Sequence, residues 1–315
     1  MILTVTLNPA IDKILILERF DLHKLHRLKS DERAMTLPGG KGVNIALNLK
    51  FLGNEVMATG FAGGHTGHLL CDGLRQKGIT TGFIFTEDTT RTNISILDLT
   101  NETLTEINDF GQEVTTEDVE YFLENYTRLL NRVKYVVIAG SVPRGVPDDI
   151  YKRLIKMALE KEIKVFFHVS PEHMDSVLKA SPFLVNPDMR SNHQLFGKPL
   201  DGVDQFMEAG RNILVKSRDT EFVLFTHRIE NVVAVTRDKS YVLRPKALKI
   251  VNMLGYADAF IAGFIHAFDQ NLPVPEVLKY ASSAGLTNVE NIYKEITDVN
   301  KITENLTRIK LEELT

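Results

Sequence analysis

Along the chain, short apolar runs rich in β-branched residues alternate with longer stretches whose apolar positions recur at helical spacing. Ile2 to Leu7 predicts a strand, Val43 to Leu52 a helix, Glu55 to Ala62 a strand and His68 to Lys77 a helix. The alternation resumes after residue 115. Thr116 to Asn131 predicts a helix opened by a threonine with acids in its first turn, and Tyr135 to Ala139 a buried strand. Asp148 to Lys161 follows as a helix and Val165 to His168 as a strand. This rhythm predicts an α/β fold of three layers, with helices covering a mostly parallel, doubly wound sheet.

Two segments interrupt it. Lys13 to Leu37 alternates without a convincing long helix, and Arg91 to Asn108 reads as a hairpin, with a turn-like Thr100-Asn101-Glu102 between two strand-like runs. Together they predict a small β-sheet lid, built from about 13–37 and 91–108, projecting from the main sheet. No repeat, low-complexity tract or long Pro/Gly linker divides the chain, so 1–315 is expected to form a single domain carrying that lid.

Composition narrows the function classes. The 315 residues carry 37 Lys plus Arg against 41 Asp plus Glu, a formal charge of −4, which argues against nucleic-acid or polybasic membrane binding. At 43% hydrophobic and 25% charged, the chain matches a globular protein rather than a disordered one. A single cysteine, Cys71, excludes an internal disulfide and suits a reducing compartment. Asp12 and Lys13 break the first apolar run too early for a signal peptide, and Ala257 to Phe268 is too short to span a bilayer. A cytoplasmic protein is expected.

Candidate chemistry sits in glycine-rich turns. Pro38-Gly39-Gly40-Lys41-Gly42 runs into a helical pattern, where backbone N–H groups and the helix dipole favour an anion or a sugar; Lys41 and Asn44 are suited to phosphates and hydroxyls. It is not a Walker A loop, because Gly42 stands where Ser or Thr is required. Gly255-Tyr256-Ala257-Asp258 enters a second apolar helix. Asp258 is either an acid stabilised by the dipole or a general base beside N–H groups that hold a transferring phosphoryl group; spacing alone does not choose. Gly140-Ser141 follows a buried strand where α/β sheets bind ligands, but Ser141 lacks the G-x-S-x-G elbow of a hydrolase. Asp12, after Asn8-Pro9, is a turn acid or a partner for sugar hydroxyls. The nine histidines form no H-x-x-x-H or H-E-x-x-H pair, which argues against a dedicated metal site, and His65 and His68 read as part of a solvated Gly-rich loop.

In chain order these pieces resemble the ribokinase-like PfkB family of sugar kinases, in the branch containing 1-phosphofructokinase and tagatose-6-phosphate kinase. The likeness runs from residue 3 to about 290. It is carried by Thr6 to Asp12, Gly39 to Ala46, Thr90 to Asn93, Thr105 to Asn108, Gly140 to Pro143 and Gly255 to Asp258. It implies transfer of the γ-phosphoryl group from ATP, with Mg²⁺, to a hydroxyl of a ketohexose phosphate in a cleft beneath the lid. By position, Asp12, Gly39, Gly40, Lys41, Asn44 and Ser141 would hold the sugar, with Arg91 and Lys41 facing its phosphate. Asp258 would be the general base, and Gly255, Tyr256 and Ala257 the anion hole. Asn186, Asp188, Thr226, Arg228, Asn231 and Ser283 would contact the nucleotide. A homodimer through the lid is plausible by the same analogy.

Departures from the family pattern fall on the nucleotide side. The anion hole usually reads Gly-Ala-Gly-Asp; here Tyr256 and Ala257 intervene, and a Cβ would cost geometry if the third position needs positive φ. An Asn-x-x-Glu motif appears as Asp188-Met189-Arg190-Ser191, a glycine-containing loop as Thr226-His227-Arg228-Ile229-Glu230-Asn231, and a usual Asp as His168. The alternative is therefore a catalytically weakened paralogue that binds sugar phosphate as a sensor or regulator.

Overall fold

The computed structural model describes residues 1–30, 33–189, 194–226 and 229–314. Arg190, Ser191, His193, His227 and Arg228, singled out by the sequence, lie outside the described residues.

The first half winds as β1 (Ile2–Thr6), β2 (Ala10–Leu17), β3 (Ala34–Gly39), α1 (Lys41–Phe51), β4 (Val56–Gly63), α2 (Gly64–Gln76), β5 (Thr80–Thr81), β6 (Ile84–Thr86), β7 (Arg91–Asp98) and β8 (Thr103–Ile107). It continues through α3 (Thr116–Leu130), β9 (Tyr135–Ala139), α4 (Ile150–Leu159), β10 (Lys164–His168), α5 (Met174–Leu178) and β11 (Leu184–Val185). After the small hairpin β12 (Gln194–Leu195) and β13 (Lys198–Pro199) come α6 (Val203–Lys216), β14 (Phe222–Phe225), β15 (Val232–Val235) and β16 (Ser240–Pro245). The chain closes with α7 (Tyr256–Asp269), α8 (Val274–Val289), α9 (Val299–Asn305) and β17 (Ile309–Leu314).

The main sheet runs β17-β16-β15-β14-β11-β10-β9-β1-β4-β5, with β6 beside β4. It is parallel from β14 to β5, and β14 to β17 form an antiparallel edge. Side chains of period two feed two cores. Leu3, Val5, Val136, Ile138, Val165 and Phe167 face one cluster with α3 to α6, while Ile2, Val137, Ala139 and Phe166 face the other with α1, α2, α7 and α8. That double burial explains why these strands read as unbroken apolar runs. α3 opens on a capping box between Thr115 and Asp118. Among the described residues no helix is long and apolar enough to cross a membrane.

One expectation is corrected. His65 and His68 lie in the first turns of α2, which starts at Gly64 because burying Leu70, Cys71 and Leu74 pulls the Gly-rich segment into the helix.

A separate four-stranded sheet, β3-β2-β7-β8, forms the lid. β2 pairs antiparallel with β3 and parallel with β7, and β7 returns as a hairpin with β8. It extends back to Ala10, so Asp12 lies on a lid strand. Ile14, Ile16 and Leu97 form its apolar underside, packed on Leu254 and Ile292 of the body. At its tip the Asp98 carboxylate accepts the amides of Phe20, Thr100 and Asn101 and the Asn101 side chain. These bonds, the Asn101 amide foremost, hold the carboxyl down at about 2. The folded value is depressed, so the stabilisation is present above the ordinary carboxylate value of about 4 and lost as pH falls towards 2. Asp98→Asn is therefore expected to raise hydrogen exchange at Thr100 and Asn101 at neutral pH while leaving the β1 and β9 amides protected; unchanged exchange in the turn would contradict the assignment.

Candidate active site

The carboxyl ends of β1, β9, β10 and β11 place Asn8, Ser141, His168 and Asp188 at one edge of the sheet, as the topology of open α/β sheets requires. Two helices begin there. α1 starts after Gly40 at φ +102, and α7 after Gly255 at φ +78, conformations that favour glycine. A Cβ on Gly255 would also lie 2.4 Å from the Lys294 carbonyl oxygen.

A cleft of about 410 Å³ opens between lid and body, lined by Asn8, Asp12, Gly40, Lys41, Asn44, Arg91, Asn93, Ser141, Asp258 and Lys294 among others. Asp12 accepts from Asn93 Nδ2 at 2.9 Å and from Lys294 Nζ at 2.5 Å. Lys294, 3% exposed, also donates to the Pro38 carbonyl at 2.6 Å. Gly39 allows this arrangement, since a Cβ there would lie 2.3 Å from the Asp12 carboxyl carbon. Asn8 Nδ2 reaches Ser141 Oγ at 3.3 Å. Arg91 donates to the carbonyls of Asn8, Pro9 and Asp109, clamping the lid to the loop after β1. Only part of its donor fork is left for a ligand.

A smaller cavity of about 110 Å³ adjoins the cleft. The two share Lys41, Glu106, Asp188, Leu254, Gly255 and Asp258. Asp258 stands at the junction, 4% exposed; its Oδ2 accepts from Asn44 Nδ2 at 2.8 Å, and its Oδ1 lacks a hydrogen-bond partner. Lys41 Nζ lies 2.7 Å from Asp188 Oδ2. α7 has no side-chain cap; its first turn, Tyr256 to Asp258, lines the small cavity together with Gly255, and the Tyr256 amide donates to the Met253 carbonyl at 3.4 Å.

The anion-hole departures have a structural answer. The positive φ falls on Gly255, whereas Ala257 is helical, so its Cβ meets no conformational penalty. The Tyr256 ring packs against Gly285 of α8, where a Cβ would lie 2.7 Å from the ring. Burial pushes the Tyr256 phenol up, out of any role as a base at neutral pH.

On the nucleotide side the chain is less convergent. Thr226 and Asp188 line the small cavity; Asn186 is fully buried behind them, donating to Thr226 Oγ1 at 3.0 Å. Asn231 is half-buried and lines neither cavity. Ser283 is fully buried in α8, donating to the Ile302 carbonyl at 2.5 Å and lining neither cavity. Among the described residues no three His, Cys, Asp or Glu side chains group to hold a metal. Sequence reasoning missed Lys294. No turn or periodic signal marks it, and its partner Asp12 is remote in sequence. Glu106 on β8, quoted within the Thr105 to Asn108 motif but given no role from the sequence, lines both cavities.

A buried, oriented carboxylate beside an open helix start, under a lid at the carboxyl edge of a parallel sheet, defines a phosphotransferase cleft. The sequence pattern of the pfkB family carbohydrate kinases matches residues 6–296, and the chain belongs to that family. It is a phosphotransferase acting on an alcohol group. It is 30% identical to 1-phosphofructokinase of Bacillus subtilis over 285 residues, covering 90% of this chain and 91% of the relative. It is 29% identical to D-tagatose-1-phosphate kinase of Bacillus licheniformis, over 100% of both chains. A possible 1-phosphofructokinase from Thermotoga maritima superimposes with a TM-score of 0.93 at 32% identity, covering 100% of this chain and 99% of that one.

The Lys294–Asp12 pair yields a direct test. Breaking a buried pair by removing one partner costs about 3–5 kcal/mol. Lys294→Met is expected to lower the urea midpoint markedly, and Asp12→Asn combined with Lys294→Met to recover part of the loss. Additive losses in the double variant would show that the two side chains do not act as a pair.

Proposed function

We propose that the chain transfers the γ-phosphoryl group of ATP to a hydroxyl of a ketohexose phosphate, with Asp258 as general base. The observation that carries this reading is the position of Asp258, buried at the junction of the two cavities and oriented by Asn44. The names of the relatives favour fructose 1-phosphate or tagatose 1-phosphate as acceptor; tagatose 6-phosphate and fructose 6-phosphate are the competing acceptors.

Asp12, held by Lys294 and Asn93, presents a fixed carboxylate to sugar hydroxyls. Ser141, Asn8 and the Gly39-Gly40 turn supply the remaining polar wall, and Arg91 with Lys41 the positive charge for the existing phosphate. Asp258 takes the proton of the attacking hydroxyl. The amides of Gly255, Tyr256 and Ala257 balance charge on the transferring group, and Lys41 adds to that field. Mg²⁺ bound with ATP would neutralise phosphate charge during transfer. Asp188, Thr226 and Asn186 form the nucleotide wall, with Asn231 and Ser283 as outlying members of the set. Lid residues Leu104 and Glu106 cover the small cavity and exclude water. Ile107 and Phe110, exposed at the lid's edge, support pairing with a second copy.

The burial of Ser283 and the outlying position of Asn231 favour a second reading, a sugar-phosphate sensor with weakened turnover. One assay separates the two. ADP release with Mg-ATP is measured against the four ketose phosphates, with Asp258→Asn in parallel. Turnover selecting one sugar and falling about a hundredfold or more in Asp258→Asn is expected. No turnover, with a sugar-phosphate thermal shift but none from Mg-ATP, would establish the sensor instead.

A further inference from the structure

His168 ends β10 behind Asp258, 1% exposed, and the transfer chemistry as described does not use it. Its Nδ1 lies 3.0 Å from the Asn186 carbonyl oxygen. A carbonyl oxygen only accepts, so Nδ1 carries the ring proton and Nε2 is bare in the neutral imidazole. That bare Nε2 faces Asp258 Oδ1 at 3.7 Å, and both atoms are buried without a hydrogen-bond partner. Two buried acceptors facing one another are unfavourable until a proton comes between them.

We propose that His168 is the positioning residue that receives a hydrogen bond from Asp258 once that carboxyl has taken the acceptor's proton. The proton released by phosphoryl transfer is thereby held in a closed acid–imidazole pair. In the balanced step, the sugar O–H bond breaks and its electron pair forms the bond to the γ-phosphorus. The bond from that phosphorus to the bridging oxygen breaks, its electrons leaving with ADP. The proton passes to Asp258, whose carboxylic acid donates to Nε2. The empty pair is strained by two facing acceptors and the protonated pair is not, so the arrangement favours proton uptake as transfer proceeds.

The surroundings keep the ring neutral beforehand. Burial, then the positive charge of Lys41 on α1, pushes the imidazole below its ordinary value; Asp188 after β11, Asp258 on α7 and the Asn186 carbonyl oppose this more weakly. Glu106 on β8 is the remaining charged side chain lining the same cavity.

The inference rests on Asp258 being the base, and the experiment separates the two claims. The pH dependence of kcat and kcat/KM is measured for the wild type, His168→Gln, His168→Asp and Asp258→Asn, with Mg-ATP and the preferred ketose phosphate. His168→Gln replaces a bare acceptor with an amide able to donate to the ionised carboxylate. It is expected to lower kcat about tenfold, keep both KM values within about twofold, and move the acid limb about one unit to lower pH. His168→Asp, which adds a like charge, is expected to move that limb to higher pH. A purely structural role would lower activity without moving the limb, and an unmoved limb in His168→Gln overturns the proposal. Full turnover in Asp258→Asn removes both the base and its partner. An inactive Asp258→Asn beside an unmoved His168→Gln profile removes this inference alone. Should the His168 variants fail to fold, ¹⁵N-histidine spectra of the wild type decide. One ring with protonated Nδ1 and bare Nε2, whose Nε2 signal shifts in Asp258→Asn, is expected; an Nε2-protonated ring overturns the proposal.

Discussion

The 2.8 Å hydrogen bond from Asn44 to Asp258 joins the first turns of two helices that are remote in sequence. Each helix leaves a glycine at positive φ, Gly40 for α1 and Gly255 for α7, so both chain entries are sharp enough to bring the starts together. A carboxylate buried there would be costly without a donor; with Asn44 it is oriented, and its other oxygen, buried and without a hydrogen-bond partner, faces His168. The parallel sheet serves this contact by bringing the ends of β1, β9, β10 and β11 beneath it.

Two ion pairs carry the same logic outward. Lys41–Asp188 spans from the glycine turn to the nucleotide side. Lys294–Asp12 ties the loop after α8 to the lid, and the Lys294 carbonyl backs Gly255. One short segment thus touches both Asp12 and the turn at Gly255.

The altered nucleotide motifs separate into two physical cases. At the start of α7 the substitutions are absorbed, because Tyr256 spends its bulk against Gly285 and Ala257 occupies a helical position. At His168 the change puts an imidazole nitrogen 3.7 Å from Asp258 Oδ1, inside the buried junction rather than at its rim. A larger side chain in a glycine motif is therefore no measure of lost activity until its direction is known.

Strand and helix alternation, the lid hairpin, both glycine turns and several residues that line the cleft were legible in the sequence, because periodicity and local turn chemistry are written in neighbouring residues. The antiparallel edge β14 to β17, the Lys294 pair and the start of α2 at Gly64, which makes His65 helical, were not. Each depends on what distant segments bury. Ser283 carried a family role in the sequence, yet its hydroxyl is spent on the Ile302 carbonyl inside the helical layer. The sequence by itself determined the fold class and the glycine turns that open α1 and α7, since both follow from patterns a few residues long. Only the tertiary structure decided which cation partners Asp12 and which atom faces Asp258 Oδ1, because those contacts are set by packing between elements far apart in the chain.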